Sequence, residues 1–465
     1  MDSTNTFPTE AQSEWQQGST IELTISDLSS SGDGVGRWQG RVVFVPDTVP
    51  GDLVRARLVQ VKAAFAKGKP LAILQTSERR VRPACIVADK CGGCQWQAVH
   101  YTEQLAAKQQ QVEDALSRIG DISHPPIDAI FAASSPLGYR NKATYPLGLS
   151  QEGRVKAGYY RKGSHRLVNL NQCPVQDERL NPYLAGIKQD IQRRGWSIYD
   201  EKTHRGHLRH LALRIGRRTG EVLLTLVATV EQLVELENQA AAWMREYDSL
   251  VGVCLNYNPH RGNAIFGEDT LVVSGRSYLR EQFAGLEFQI HPTTFFQVNT
   301  EQAERMVDVV LQELQLQGTE TIVDAYCGIG TLTLPLAQRS QRCIGLEVQS
   351  EAVEQGCANA QLNGIDNAEF HDGDVEKLLP QLAATLETPV DVVVLDPPRK
   401  GCDRTVLDAL LQLHPPKIAY MSCNPATLAR DLKVLLGAGY QLTRVQPADF
   451  FPQTSHVECV AFLVA

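Results

Sequence analysis

Two short blocks hold a thiol and a carboxylate in surroundings that ordinary packing does not explain: Ser422-Cys423-Asn424-Pro425-Ala426-Thr427 and His456-Val457-Glu458-Cys459-Val460. Cys423 ends an apolar run of strand length and precedes a helical stretch, so its thiol stands beside a helix N-terminus, which favours a thiolate. Glu458 lies within Val-Glu-Cys-Val-Ala-Phe-Leu-Val, where a carboxylate is costly unless paired or functional. A nucleophile with a general base splits one hard step into easier ones. The competing reading of Glu458 is a structural ion pair. On a strand His456 shares its face and is read as a neighbour that shapes the site. Structural burial, the usual fate of a free cysteine, suits Cys254, Cys343, Cys357 and Cys459.

A ligand cleft is expected near Asp324-Ala325-Tyr326-Cys327-Gly328-Ile329-Gly330-Thr331, where two glycines at a strand-to-helix turn allow close backbone approach. Glu347 ends the next strand, and a carboxylate there accepts hydrogen bonds from ribose hydroxyls. A dinucleotide and S-adenosylmethionine compete for this site. The third glycine of the dinucleotide fingerprint is replaced by Thr333, which weakens that reading. Acids at Asp324, Glu347 and Asp374, after three successive strands, fit a nucleoside without phosphates; Asp374 read alone is equally a turn carboxylate. After the fourth strand, Asp396-Pro397-Pro398-Arg399 holds Asp396 in a set direction, since two prolines fix the backbone.

A sulfonium methyl donor gives the thiol a specific use. Carbon 5 of uracil is a poor nucleophile. Thiolate addition at carbon 6 makes an enolate with electron density at carbon 5, which attacks the methyl group. A base then removes the carbon 5 proton and the thiolate leaves. Cys423 is read as the nucleophile and Glu458 as the base.

The elements that must position these groups change character along the chain. Residues 17–76 alternate at period two (Ile21-Glu22-Leu23-Thr24-Ile25), with Gly and Pro turns, as in a small oligonucleotide-binding barrel. A helix is expected over Tyr101–Ile119, with Leu105, Val112, Leu116 and Ile119 on one stripe. Residues 130–290 mix strands, basic turns and helices without a legible topology. Asn299-Thr300 caps a helix bearing Met306, Val309, Val310 and Leu314, closed by Gly318. From residue 320, apolar runs at 321–325, 342–346, 390–395 and 417–421 alternate with helical stretches, which is the pattern of a parallel sheet covered on both faces.

The chain has 465 residues and a net charge of −8. Yet residues 53–82 carry eight Arg/Lys against the single Glu78, and residues 138–167 seven against Glu152. One such segment is as easily a solvated face; two favour a polyanion partner. No apolar run is of transmembrane length, and the N-terminus lacks the pattern of a secretory signal. Eleven cysteines are therefore expected as buried thiols, metal ligands or catalytic groups in the cytoplasm, without membrane association. Cys85-x5-Cys91-x2-Cys94, with Cys173-Pro174 further on, supplies four thiolates for zinc or an iron–sulfur cluster; spacing alone leaves both open.

Ser-Cys-Asn-Pro-x-Thr, Asp-Pro-Pro-Arg and His-x-Glu-Cys-Val resemble the RNA uracil-5-methyltransferase family over nearly the whole chain. Phe295-Phe296-Gln297-Val298-Asn299 looks like the block before its catalytic domain. The resemblance implies S-adenosylmethionine contacts from Gln297, Tyr326, Thr331, Glu347, Asp374 and Asp396, although Thr331 and Asp374 depart from the asparagine often found there. Residues 17–76 resemble a TRAM domain. The cysteine pattern is similar to the family's ribosomal RNA branch, which implies a structural [4Fe-4S] cluster on Cys85, Cys91, Cys94 and Cys173, rather than zinc, and a 23S ribosomal RNA substrate.

The expected fold class is α/β. A Rossmann-like class I methyltransferase domain (291–465) follows a TRAM/OB-like barrel (16–77) and a central α+β domain with the cluster (78–290), after a flexible tail (1–15). The expected protein is a monomer. The rivals are a transfer RNA uridine-5-methyltransferase, a non-catalytic RNA-binding or assembly factor, and an amine methyltransferase, which has no use for Cys423.

Overall fold

The computed structural model describes residues 14–465, so the expected tail lies outside the described residues up to position 13. At its described end, Trp15 stacks on Trp38 with ring centroids 6.1 Å apart and donates its indole N–H to the Lys62 carbonyl (2.9 Å). The chain forms two compact units. One holds residues up to Asp89, Cys94–Ala107 and Gln453–Ser455; the other holds Lys90–Gly93, Lys108–Pro452 and His456–Ala465.

In the first unit, β1 (Thr20–Leu28), β2 (Gly34–Trp38), β3 (Arg41–Val45), β4 (Leu53–Val61) and β5 (Phe65–Gln75) close into a barrel in the order β1-β2-β3-β5-β4. The period-two pattern drives this closure, because Ile21, Leu23, Ile25, Val54, Ala56 and Leu58 all turn inward. A Cβ at Gly34 would lie 2.0 Å from Thr48 Oγ1, so only glycine lets β2 approach that turn.

Helix α1 (Tyr101–Arg118) begins in the first unit and ends in the second. Its buried stripe differs from the expected one. Gln104, Lys108, Val112, Ala115 and Leu116 are buried, whereas Ile119 is 44% exposed. Lys108 Nζ donates to Asp449 Oδ1 (2.5 Å) and to the Phe451 carbonyl (3.1 Å), partners that the helix's own sequence does not reveal.

The second unit starts its central sheet with β6 (Lys142–Leu149), β7 (Val155–Tyr160) and β8 (Leu167–Asn169), followed by α2 (Asn181–Arg194). β9 (Leu208–Ile215), β10 (Val222–Ala228), α3 (Leu236–Glu246), β11 (Leu250–Tyr257) and β12 (Asp269–Gly275) complete it, in the order β12-β11-β10-β9-β6-β7-β8. The hairpin β13 (Leu279–Phe283) and β14 (Leu286–Ile290) leads to α4 (Thr300–Leu314). Asn299 caps α4 by accepting from Gln302 N, as expected, but the helix ends at Gln315 in the left-handed conformation rather than at Gly318.

The catalytic sheet contains β15 (Thr321–Ala325), α5 (Thr333–Ala337), β16 (Arg342–Glu347), α6 (Ser350–Leu362), β17 (Ala368–Asp372), α7 (Val375–Thr385), β18 (Val392–Leu395), α8 (Arg404–Leu413), β19 (Lys417–Ser422), α9 (Pro425–Gly437), β20 (Gln441–Ala448) and β21 (Glu458–Val464). Its order is β17-β16-β15-β18-β19-β21-β20, with β21 antiparallel between β19 and β20. Alternate residues feed two cores: Val392, Val394 and Ala419 face one, and Val393, Leu395 and Ile418 the other. Burial on both faces is why these strands read as continuous apolar runs.

Candidate active site

The loop after β15 is bent by three left-handed residues, Tyr326 (φ 69°), Gly328 (φ 55°) and Gly330 (φ 89°). Such a backbone at a non-glycine residue is strained and is held by its surroundings. A Cβ at Gly330 would stand 2.9 Å from the Phe370 ring. Glu347 Oε2 accepts from Gly328 N (3.0 Å) and Oε1 from Gln349 N (2.8 Å). Thr333, at the position where a dinucleotide site has glycine, donates its hydroxyl to Asp324 Oδ2 (2.6 Å). Asp324 Oδ1 is buried without a partner among the described residues. Burial, with Asp396 and Glu347 adding, pushes the Asp324 carboxyl up to about 7. Burial also raises Asp396 to about 6. Carboxylates gathered around a glycine-lined loop fit a cationic sulfonium nucleoside and disfavour a pyrophosphate. Thr331 is half-buried within this loop. Asp374 stands at the N-cap position of α7 but its side chain makes no capping bond; it is partly exposed and pairs with Lys377 at 2.6 Å.

The central sheet anchors a second loop. The Arg214 guanidinium donates to the carbonyls of His291 (3.2 Å) and Thr294 (2.8 Å), and Asn141 Nδ2 to that of Gln297 (2.8 Å). Gln297 is half-buried; Phe296 is buried, while Phe295 is 63% exposed.

Cys423 and Glu458 occur where β19 ends and β21 begins. Antiparallel register pairs Ser422 with Cys459, so the two residues flank one rung of the ladder. Cys423 is half-buried and Glu458 buried. Burial, with Glu458 and Asp396 nearby, pushes the Cys423 thiol up to about 11, while Arg399 pulls it down. This corrects the expected ready-made thiolate: beside this helix N-terminus, desolvation and two carboxyls outweigh the dipole. Burial and Asp396 likewise hold Glu458 well above the carboxylate range, opposed by Arg399. His456 lies before the strand, not on it. An Arg399 guanidinium nitrogen sits 3.3 Å from its Nε2. Burial and that cation lower His456 to about 4.

The motifs are explained by one clamp. Asn424 Nδ2 and Thr427 Oγ1 both donate to the Arg399 carbonyl (3.1 and 3.3 Å). Asn424 Oδ1 also caps α9 through Ala426 N, and Ser422 Oγ accepts from Asn424 N (3.1 Å). Deeper, buried Asp431 accepts from Tyr420 OH (2.7 Å) and Cys402 N (2.9 Å). Sequence reasoning gave Arg399 no role and missed Asp431; the only signal was a basic residue closing the Asp-Pro-Pro block.

The cysteines divide between the units. In the first, Gln97 Oε1 accepts from Cys85 N (3.3 Å) and its Nε2 donates to Cys94 Sγ (3.7 Å). In the second, Cys91 and Cys173 are both buried and both bear on the Tyr159 phenol, which burial chiefly raises. Among the described residues, no group of three or more His, Cys, Asp or Glu side chains could hold a metal ion. Cys254, Cys343 and Cys459 are buried, but Cys357 is exposed, against expectation, because α6 turns it outward. Among the described residues no helix is long and apolar enough to cross a membrane.

Residues 100–465 match the family model described as tRNA (uracil-5-)-methyltransferase, and residues 14–71 match the TRAM domain. A protein of Nostoc sp. named as an uncharacterized RNA methyltransferase is 61% identical over 454 residues, 97% of this chain and 98% of the relative. A Thermosynechococcus vestitus protein of the same description is 57% identical, covering 97% and 99%. Among solved structures, Pyrococcus abyssi tRNA (uracil-54, C5)-methyltransferase in complex with S-adenosyl-L-homocysteine aligns with a TM-score of 0.76 and 26% identity, over 96% of this chain and 100% of that one. The strand order, the glycine-lined acidic loop and the placing of Cys423 and Glu458 beside the Ser422–Cys459 rung thus come with a sequence match over most of the chain, which belongs to the S-adenosylmethionine-dependent RNA uracil-5-methyltransferase family and carries an N-terminal TRAM domain.

Proposed function

We propose that this enzyme methylates carbon 5 of a uridine in 23S ribosomal RNA through a covalent Cys423 adduct. The observation that supports the mechanism is the pairing of Ser422 with Cys459, which sets thiol and carboxyl on either side of one rung, near Asp396 and Arg399. The target base leaves its stack to reach the thiol. Cys423 Sγ bonds to carbon 6, and the electron pair moves to carbon 5 and the carbonyl oxygen. S-adenosylmethionine supplies the electrophilic methyl group when bound. Glu458 then takes the carbon 5 proton, and elimination releases Cys423. A carboxyl held above its usual range suits a base working near neutral pH. Gln297, Tyr326, Thr331, Glu347, Asp374 and Asp396 are the proposed cofactor contacts. Arg399 is a proposed electrostatic partner of the thiolate.

We also propose a structural [4Fe-4S] cluster on Cys85, Cys91, Cys94 and Cys173. Its support is the donor set, since four soft thiolates suit iron–sulfur or zinc. Iron and sulfide content with the visible spectrum of anaerobically purified protein separates the two, and a colourless zinc protein ends the cluster reading. A thiolate donor set of this kind fits a reducing, cytoplasmic compartment, and the enzyme is proposed to act as a monomer.

A second substrate reading is transfer RNA, favoured by the Pyrococcus abyssi enzyme's stated substrate. Mass-spectrometric mapping of 5-methyluridine in 23S ribosomal and transfer RNA, with and without the protein, decides between them. Loss confined to transfer RNA would overturn the ribosomal assignment.

A further inference from the structure

A cavity of about 880 Å³ opens on the central sheet, and none of its lining residues belongs to the group around Cys423. It is lined by the ends of β6 and β7, the 161–168 turn and strand, and residues 198–202, 209 and 210. That volume is in the range of small-molecule sites. Its chemistry is that of a polyanion carrying flat rings. Six cationic side chains, among them Lys156, Arg161 and Arg166, line it against three carboxylates. Two of these carboxylates are engaged locally. Asp200 Oδ1 accepts from the amides of Lys202 and Thr203 (2.9 and 2.8 Å), and Glu201 from the Tyr160 hydroxyl (3.2 Å). Cationic charge is therefore in excess.

The inner wall is built rather than incidental. Arg209 is buried and donates to the carbonyls of Asn258 (3.0 Å), His260 (2.8 Å) and Gly262 (3.3 Å), with its guanidinium 5.1 Å from the Tyr199 ring centre. His210 Nδ1 is buried with no partner among the described residues. Burial and Arg209 lower this imidazole to about 4, so it is neutral near pH 7, with one ring nitrogen to accept and one to donate. His210 lines the cavity as a neutral imidazole, which can both accept from and donate to a ligand's polar edge. The rings of Tyr160 and His165, 5.3 Å apart, add stacking surface.

We infer that this cavity takes an unstacked nucleotide of the RNA substrate other than the uridine that is methylated. Phosphates meet Lys156, Arg161 and Arg166, and the base edge meets His210. Specific RNA recognition uses splayed bases on aromatic and guanidinium planes in this way. β6 gives the spacing. Asn141 holds the Gln297 loop and Leu147 lines the cavity, so six residues at about 3.4 Å each separate them by roughly 20 Å. The site thus reads a second position along the strand and sets which uridine is presented. The inference rests on the RNA-methylation reading.

The test uses the full chain with ribosomal and transfer RNA from a strain lacking the protein, measuring methyl transfer against RNA and salt concentration. For Arg161→Glu/Arg166→Glu we expect a raised KM for RNA, an unchanged kcat, and a slope of log affinity against log salt smaller by about 2. His210→Ala should raise KM without changing that slope. Ultraviolet cross-linking of the parent should mark peptides containing Tyr160, His165 or Tyr199. Parental KM and salt slope in the charge-reversed variant, while the parent methylates RNA, would sink this inference and leave the proposed function standing. Binding of an acidic peptide with no effect on RNA would also overturn it. A parent that neither binds nor methylates RNA would overturn both.

Discussion

The side-chain amide of Asn424 donates to the backbone carbonyl of Arg399 at 3.1 Å, so the residue after the thiol holds the residue after the two prolines. Thr427 reinforces the same carbonyl. The loops that end β18 and β19 are therefore tied together at one carbonyl. Asn424→Ala removes its half of this clamp, leaving Thr427, and the α9 cap with it. The lost cap should cost about 1 kcal/mol of stability in denaturant titration. Single-turnover methyl transfer should fall on the order of 100-fold, as for a reacting group displaced by about 1 Å. A stable variant with the parental rate would remove the Asn424 half of the clamp from catalysis.

Cys423→Ala should give no methyl transfer. Glu458→Gln should form the methylated adduct but release it slowly, and denaturing electrophoresis should show protein that carries RNA. Free RNA and free protein from Glu458→Gln, with turnover intact, would show that another group takes the proton.

Arg399 opposes the forces that raise the Cys423 thiol to about 11. Removing the cation raises the thiol further and lowers the thiolate fraction at any pH below it. Arg399→Ala should therefore shift the rising limb of kcat/KM against pH to higher pH, and the deficit should shrink as pH increases. Arg399→Lys should lie between. A uniform loss across pH would assign Arg399 to RNA contact instead.

Asp324 is held at about 7 against an ordinary 3.8. Between those values the unfolded chain has released its proton while the folded chain keeps it. The group's contribution to stability is present below pH 4, is lost as pH rises through about 7, and is constant above. Asp324→Asn lacks this term. The stability of the variant relative to the parent should improve from pH 4 to 7 and level off beyond, as followed by urea unfolding. A flat difference would mean that Asp324 ionises freely.

Lys108 and Asp449 are both fully buried and 2.5 Å apart. Lys108→Met strands a carboxylate and should cost about 3–5 kcal/mol. Lys108→Met/Asp449→Leu should cost less than either single change, with a remainder from the Asp449 bond to Phe451 N. Additive losses in a double-mutant cycle would show that the pair is uncoupled.

The catalytic sheet was legible because its strands are buried on both faces, so Val392–Leu395 and Lys417–Ser422 stand out as apolar runs. The central sheet was not, although β9 and β10 are almost as fully buried, β9 with Arg209, His210 and Arg214 among its residues. Its order joins Lys142 to Arg214 and Val222 to Leu250, and no local pattern encodes such long-range pairings. Polar residues on the buried face of α1 escaped for the same reason, since Gln104 and Lys108 are satisfied by residues more than 300 positions away. Cys423 and Glu458 were visible because each is an unusual residue in its run. Arg399 was not, because a guanidinium in an exposed loop is ordinary until the loop is clamped over a thiol.

The rung that pairs Ser422 with Cys459 makes the chemistry a matter of parity. Side chains on β21 alternate between opposite sides, so a slip of one residue would offer Val457 or Cys459 where Glu458 now stands. The connection between β20 and β21 can thus gain or lose residues in evolution only if the strand re-enters in the same phase. An odd slip would leave a folded sheet and an intact nucleophile whose adduct finds no base.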